Sequence, residues 1–201
     1  MKKIKYWVLV CITVAAALPL KAGDGGVLSV KKVGRMSCTF VQTKESSLLD
    51  EKSVSSGTMH YMAPDKVRWE YTSPFSGIFI MNGNVAAFGT EGKMQKVDLA
   101  RNRMFRSISR IMFLGLSGSP LASDENYQVQ INDSGDMAEA VLVPRKKDMA
   151  RVVSCVRLYV RKSDSMVVCI VMEEPGGDVT RIELHDIDTE LDMNTDIFEV
   201  K

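Results

Sequence analysis

The chain has 201 residues, 45% of them hydrophobic and 25% charged, with a formal net charge of +1. Near-neutral charge with scattered basic residues makes it a poor nucleic-acid binder, and it lacks the polybasic cluster that would hold it on anionic lipid.

The N-terminus reads as a secretory signal. Lys2, Lys3 and Lys5 precede an uncharged, mostly apolar run over residues 6–18, which Pro19 breaks. Ala22 offers a small residue for cleavage before Gly23, although Leu20 at the −3 position is not ideal. The apolar run is shorter than the roughly 20 residues of a spanning helix, which argues against an anchor left in the membrane. Cys11 lies too early, and after too large a residue, for a lipoprotein signal. Residues 1–22 are therefore assigned to the signal, and residues 23–201 to one slightly acidic domain outside the cytoplasm, in the periplasm. That domain keeps Cys38, Cys155 and Cys169. An odd count leaves at least one free thiol. A turn centred on Ser163 and Asp164 sets Leu158, not Cys155, opposite Cys169, so buried free thiols are expected rather than a disulfide.

In chain order, residues 27–36 have a short helical pattern. Alternation with a period of two follows over residues 38–44, 57–62 and 66–71. In the last of these Val67, Trp69 and Tyr71 face one way, and Lys66, Arg68 and Glu70 the other. Residues 77–82 form the next strand. Asn82-Gly83 reads as a type I′ hairpin turn leading into residues 85–88, and residues 94–97 add a short strand. The period changes over residues 99–116. There Met104, Phe105, Ile108, Ile111, Met112 and Leu116 recur at helical spacing, which predicts an amphipathic helix of about five turns. Gly115 to Pro120 ends it as a flexible joint.

Strands resume over residues 127–131 and 137–143, split by Asn132 to Gly135. Val152, Ser154, Val156, Leu158 and Val160 share one face of a long strand. Residues 166–172 are apolar on both faces, and Pro175-Gly176-Gly177 turns into residues 179–187. Residues 197–200 close the chain. Ten or eleven strands with turns at near-regular spacing predict one antiparallel sheet, strongly curved or closed to a barrel.

Catalytic signals are sparse, and no enzyme, cofactor or metal is expected. His60 and His185 sit on separate strands without a second ligand at metal spacing. Gly115-Leu116-Ser117-Gly118-Ser119 lacks the final glycine of a nucleophile elbow. Glu173-Glu174 and the Asp186/Asp188 pair fall at turns or strand ends, where charge is usually solvated. The apolar side is richer. Met59, Tyr61, Val67, Trp69, Tyr71, Phe79 and Met81 can share one sheet face by parity. The plain reading is a solid core. Thirteen methionines, whose side chains repack around varied apolar partners, and one amphipathic helix beside a Gly/Ser joint point instead to a covered binding surface.

At these residues the chain resembles the periplasmic outer-membrane lipoprotein carrier family, LolA-like. Phe40-x-Gln42 is similar to its first-strand motif. Gly57, Pro64, Arg68-Trp69-x-Tyr71-x-x-Pro74 and Asn82-Gly83 follow in matching order, and Asp186, Thr189, Met193 and Phe198 resemble its ending. The resemblance is specific over residues 38–90 and diffuse beyond. It implies a mainly β fold, a half-open antiparallel barrel of about ten or eleven strands, with helices as a lid over an apolar cavity. Val67, Trp69 and Phe79 would face that cavity, and Met104, Ile108, Ile111 and Met112 would form the lid face.

The implied task is to take acylated lipoproteins from an inner-membrane ATP-driven exporter and pass them to an outer-membrane acceptor, as a monomer. The alternatives are an envelope lipid-binding or sensor module of the same fold and, from a different class, a lipid- or glycan-acting enzyme. One departure stands out. The family often has Arg before the motif proline, where it latches the lid, and this chain has Ala63.

Overall fold

The structure, a computed structural model, describes residues 28–48, 51–99, 113–116 and 125–200. Its strands are β1 (Arg35–Glu45), β2 (Lys52–Met62), β3 (Lys66–Ser73), β4 (Gly77–Asn82), β5 (Val85–Thr90), β6 (Lys93–Asp98), β7 (Tyr127–Ser134), β8 (Met137–Pro144), β9 (Cys155–Arg161), β10 (Met166–Glu173) and β11 (Val179–Asp188). A helical turn, α1 (Lys147–Ala150), links β8 to β9, and a 3-10 turn, η1 (Thr195–Phe198), follows β11.

The eleven strands form one sheet in the order β6-β5-β4-β3-β2-β1-β11-β10-β9-β8-β7. Every neighbouring pair is antiparallel. Two up-and-down meanders, β1–β6 and β7–β11, are thus joined where β1 pairs with β11, and the sheet stays open at β6 and β7. It is also curled. In a flat sheet β4 and β10, five places apart, would stand roughly 24 Å from each other at the usual strand spacing. Instead Phe79 of β4 and Ile170 of β10 line one hollow.

Alternation explains which face is buried. Met36, Cys38 and Phe40 of β1, Met59 and Tyr61 of β2, Val67 and Trp69 of β3, and Ile182 and Leu184 of β11 all point into one cluster, joined by Leu99 and Leu116. A second cluster collects Ala140, Leu142, Val156, Leu158 and Val160 from β8 and β9 with Val30, Leu114, Met149 and Val153. Ile170 and Met172 of β10 pack against both. The opposite face carries ion pairs, such as Arg68 with Glu70 at 2.7 Å and Arg157 with Glu139 at 3.5 Å. It is capped in part by η1: Arg68 Nη1 donates to the Ile197 carbonyl at 3.3 Å, and Phe198 is fully buried.

Four sequence expectations change. No helix forms over residues 28–36. Lys31 N–H donates to the Ser165 carbonyl and Val33 N–H to the Leu116 carbonyl, so other segments take the backbone bonds a helix would need, and β1 already starts at Arg35. The β4–β5 hairpin turns one residue later than expected. Asn82 pairs with Val85, so Gly83 and Asn84 are the central residues, and only Gly83 has positive φ (60°), the II′ pattern rather than I′. The chain does not end in a strand. Asn194 caps the Asp196 N–H, and η1 packs across β3 and β4. Finally, Gly115 and Leu116 are buried rather than loose: a Cβ on Gly115 would lie 3.0 Å from Val167 Cγ2, and Leu116 accepts the Val33 bond.

Candidate ligand cavity

The concave face is not filled. A cavity of about 320 Å³ opens between the two meanders. One wall is Met59 of β2, Val67, Trp69 and Tyr71 of β3, and Phe79 of β4. The other is Val167, Ile170 and Met172 of β10 with Ile182 and Leu184 of β11, while Gly115 and Leu116 close over it and Gln42 of β1 lies between the walls.

Register builds the first wall. Met59 pairs with Trp69 and Trp69 with Phe79, a row of large apolar side chains across three strands. Phe40 backs this row, with its ring 4.2 Å from Trp69 and edge-on to Tyr71 at 5.2 Å. Gly57 is required beside it: a Cβ there would fall 1.8 Å from the Glu70 carbonyl oxygen, so β2 and β3 could not approach with any other residue. On the second wall the parity of β11 places Ile182 and Leu184 inward, and Arg181, Glu183 and His185 outward.

Of the seven residues expected on this surface, Met59, Val67, Trp69, Tyr71 and Phe79 line the cavity. Tyr61 and Met81 share the face but belong to solid core. Both are buried, and the Phe113 ring packs 5.9 Å from that of Tyr61. The entire β10–β11 wall and Gln42 were missed. Their signals were present, in the doubly apolar β10 segment and the alternation of β11, but parity does not reveal that β1 brings β11 beside it. Met104, Ile108, Ile111 and Met112, expected on the lid, lie outside the described residues.

The polar groups at the cavity are few. Tyr71 Oη donates to Gln42 Oε1 at 2.9 Å. Burial pushes the Tyr71 phenol up from its ordinary value, with Trp69 and Gln42 acting in the opposite sense. Trp69 is 7% exposed, and its buried indole N–H acts as a donor on the Tyr71 hydroxyl. Lys44, the next residue of the same parity after Gln42, is held by Glu174 at 3.3 Å and Asp178 at 3.4 Å. The bond to Glu174 keeps its ammonium pKa above the ordinary value. The described residues contain no group of three or more His, Cys, Asp or Glu able to hold a metal ion. Cys38, Cys155 and Cys169 are buried and unpaired, and burial pushes the Cys38 thiol up to about 12.

An open, curled antiparallel sheet cradling an apolar hollow is the architecture of a module that binds apolar ligands. The chain belongs to the LolA family: the model for "Outer membrane lipoprotein carrier protein LolA" matches residues 31–201. No curated protein sequence matches it. Among solved structures it is similar to a LolA superfamily protein from Nitrosomonas europaea, at 12% identity and a TM-score of 0.48 over 85% of this chain and 92% of that one. A putative outer membrane lipoprotein-sorting protein domain from Vibrio parahaemolyticus gives 9% identity and a TM-score of 0.46 over 84% and 91%. The MucA/MucB complex of Pseudomonas aeruginosa gives 10% and 0.46 over 83% and 56%. The assignment rests on the family match alone.

Proposed function

We propose that the protein is a periplasmic carrier that holds the acyl chains of lipoproteins in the cavity between its two meanders. Residues 1–22 would direct its export. It would take cargo from an inner-membrane ATP-driven exporter and surrender it to an outer-membrane acceptor. The observation that carries this reading is an apolar hollow of about 320 Å³ left open in an otherwise close-packed face. Close packing is the rule in protein interiors, and an apolar hollow of ligand size is the usual form of a small-ligand site.

The energetics suit transfer. A buried methylene contributes about 0.8 kcal/mol, so cargo with two or more chains does not leave a membrane unaided. A carrier must cover those chains and still release them. Leu116 closes over the cavity beside Gly115. Incoming chains would replace its contacts with similar apolar area, which keeps exchange close to thermoneutral. Gly115 and Leu116 would not serve as a loose joint, because they are packed against Val167 and bonded to Val33.

Closure would rest on apolar contact. Ala63 packs on the core, its N–H donates to the Gly34 carbonyl, and it offers no charged donor to a lid. Arg68 lies on the other face, engaged by Glu70 and Ile197. Coupling of lid opening to ATP hydrolysis would accordingly be weak.

The test is co-purification with a triacylated lipoprotein expressed in the same cells, compared with the same cargo carrying alanine at its lipidated cysteine. The acylated form should co-purify and the unacylated form should not. Equal recovery of both forms, or of neither, would sink the carrier reading.

A further inference from the structure

The concave face changes character in one direction along four adjacent strands. On the parity that faces the cavity, β1 runs from Met36, Cys38 and Phe40 to Gln42 and Lys44. Beside it, β2 runs from Tyr61 and Met59 through Gly57 to Ser55 and Ser53, the partners of Gln42 and Lys44. On the other side β11 runs from Leu184 and Ile182 to Thr180 and Asp178, and β10 from Ile170 and Met172 to Glu174. Register sets these changes level. Lys44 pairs with Thr180 and Thr180 with Met172, and one step further the Glu174 N–H donates to the Asp178 carbonyl. Lys44 reaches across β11 to Glu174 at 3.3 Å and Asp178 at 3.4 Å, which ties the polar ends into one rim. Its three charged side chains are 24–44% exposed, so the rim faces water. The opposite end is closed. Val67 and Leu116 line the cavity there and are buried, Val33 N–H donates to the Leu116 carbonyl, and Phe113 packs on Tyr61. Beyond them Met36, Met81 and Ala86 are solid core.

We propose that acyl chains lie along the strands with their methyl ends at the Val67–Leu116 floor, and that their polar heads leave the cavity at the Lys44–Glu174–Asp178 rim. The assignment rests on the carrier reading and deepens it: the protein part of an acylated cargo emerges beside the β1–β2 and β10–β11 turns, at the end away from Leu116. A hollow with an apolar floor and a wet polar rim orients an amphipathic ligand. Its hydrocarbon gains by reaching the floor, and its head would lose hydration there without a partner. The rim is also a single preformed surface rather than two separate loops. Ser47 of the β1–β2 turn bonds the Asp178 carboxylate through its N–H at 3.0 Å, and its hydroxyl donates to the Gly176 carbonyl at 2.7 Å.

The test uses two methyl stearates that carry a nitroxide, one near the ester and one near the chain end. The readout is quenching of a bimane attached to the full-length Cys11→Ala protein, whose described thiols are buried. Ser53→Cys sets the label at the rim. Gly34→Cys sets it at the floor end, where an added Cβ meets nothing. At Ser53→Cys the nitroxide near the ester should quench more strongly, and at Gly34→Cys the order should reverse. Thermal melts identify a labelled variant that fails to fold, and Ser55→Cys or Lys32→Cys then takes its place at the same end. Equal quenching by the two esters at both sites, or the opposite order, would overturn the orientation and leave the apolar carrier standing. Failure of both esters to displace a fluorescent apolar dye from the unlabelled protein would remove the carrier reading itself.

Discussion

Phe40 and Trp69 stack with ring centroids 4.2 Å apart, although β2 lies between their strands. The contact ties the central strand of the sheet to the cavity wall. Gly57 makes it possible, since it pairs with Phe40 on one side and Tyr71 on the other.

Gly57→Ala should therefore be costly for stability. Its Cβ would land 1.8 Å from the Glu70 carbonyl oxygen, so β2 and β3 must separate or shift register. A loss of about 3 kcal/mol is expected, which lowers Tm by roughly 6–12 °C in a domain of this size. Circular dichroism melts check it, and an unchanged Tm would show that the two strands can part without cost.

Phe79→Glu should leave the fold intact and abolish apolar ligand binding. Phe79 is only half-buried and lines the cavity opposite Trp69. A carboxylate there puts charge among hydrocarbon with no cation among the described lining residues, a penalty of several kcal/mol for any acyl chain that covers it. Dye binding should fall at least tenfold while the melt stays close to wild type. Full binding by a folded variant would remove Phe79 from the site.

His60 should give stability a pH dependence of defined sign. Burial lowers its pKa from the ordinary 6.5, Arg68 lowers it further, and Glu70 opposes both. The unfolded chain thus takes up the proton first. The contribution is fully present above the unfolded value and is lost as pH falls from there through the folded pKa. Urea titrations between pH 7.5 and 5 should show a decline in wild type that is smaller in His60→Gln. Equal slopes in the two proteins would contradict it.

The thiols should be inert in the native state. Burial pushes Cys38 to about 12 and Cys169 to about 11, and raises Cys155 as well. In a Cys11→Ala chain, a thiol-reactive dye at pH 8 should label these three slowly in buffer and completely in denaturant. Fast labelling without denaturant would mean that the sheet opens on that timescale.

Much of the fold was legible because strand parity is a local property. The alternation Val67, Trp69, Tyr71 against Lys66, Arg68, Glu70 already separates cavity from outer face. Half of the site was legible for the same reason. The β10–β11 wall was not, because pairing of β1 with β11 joins residues that lie far apart in the chain, and no short-range pattern encodes that register. Residues 28–34 and Gly115-Leu116 misled for a related reason: helical spacing and a Gly-rich sequence were overruled by backbone bonds to distant segments. The hairpin at Gly83 differed only in which residue takes positive φ.

The central claim is that acyl chains enter between the two meanders. Photo-crosslinking with a fatty-acyl ester bearing a diazirine near the chain end, followed by peptide mass spectrometry, tests it most directly. Labels should fall on both walls, on peptides holding Trp69 or Phe79 and on peptides holding Ile170, Met172 or Ile182, and excess unlabelled ester should remove them. Labels confined to the outer face around Arg157 and Arg181, or labels that excess ester does not displace, would contradict the account.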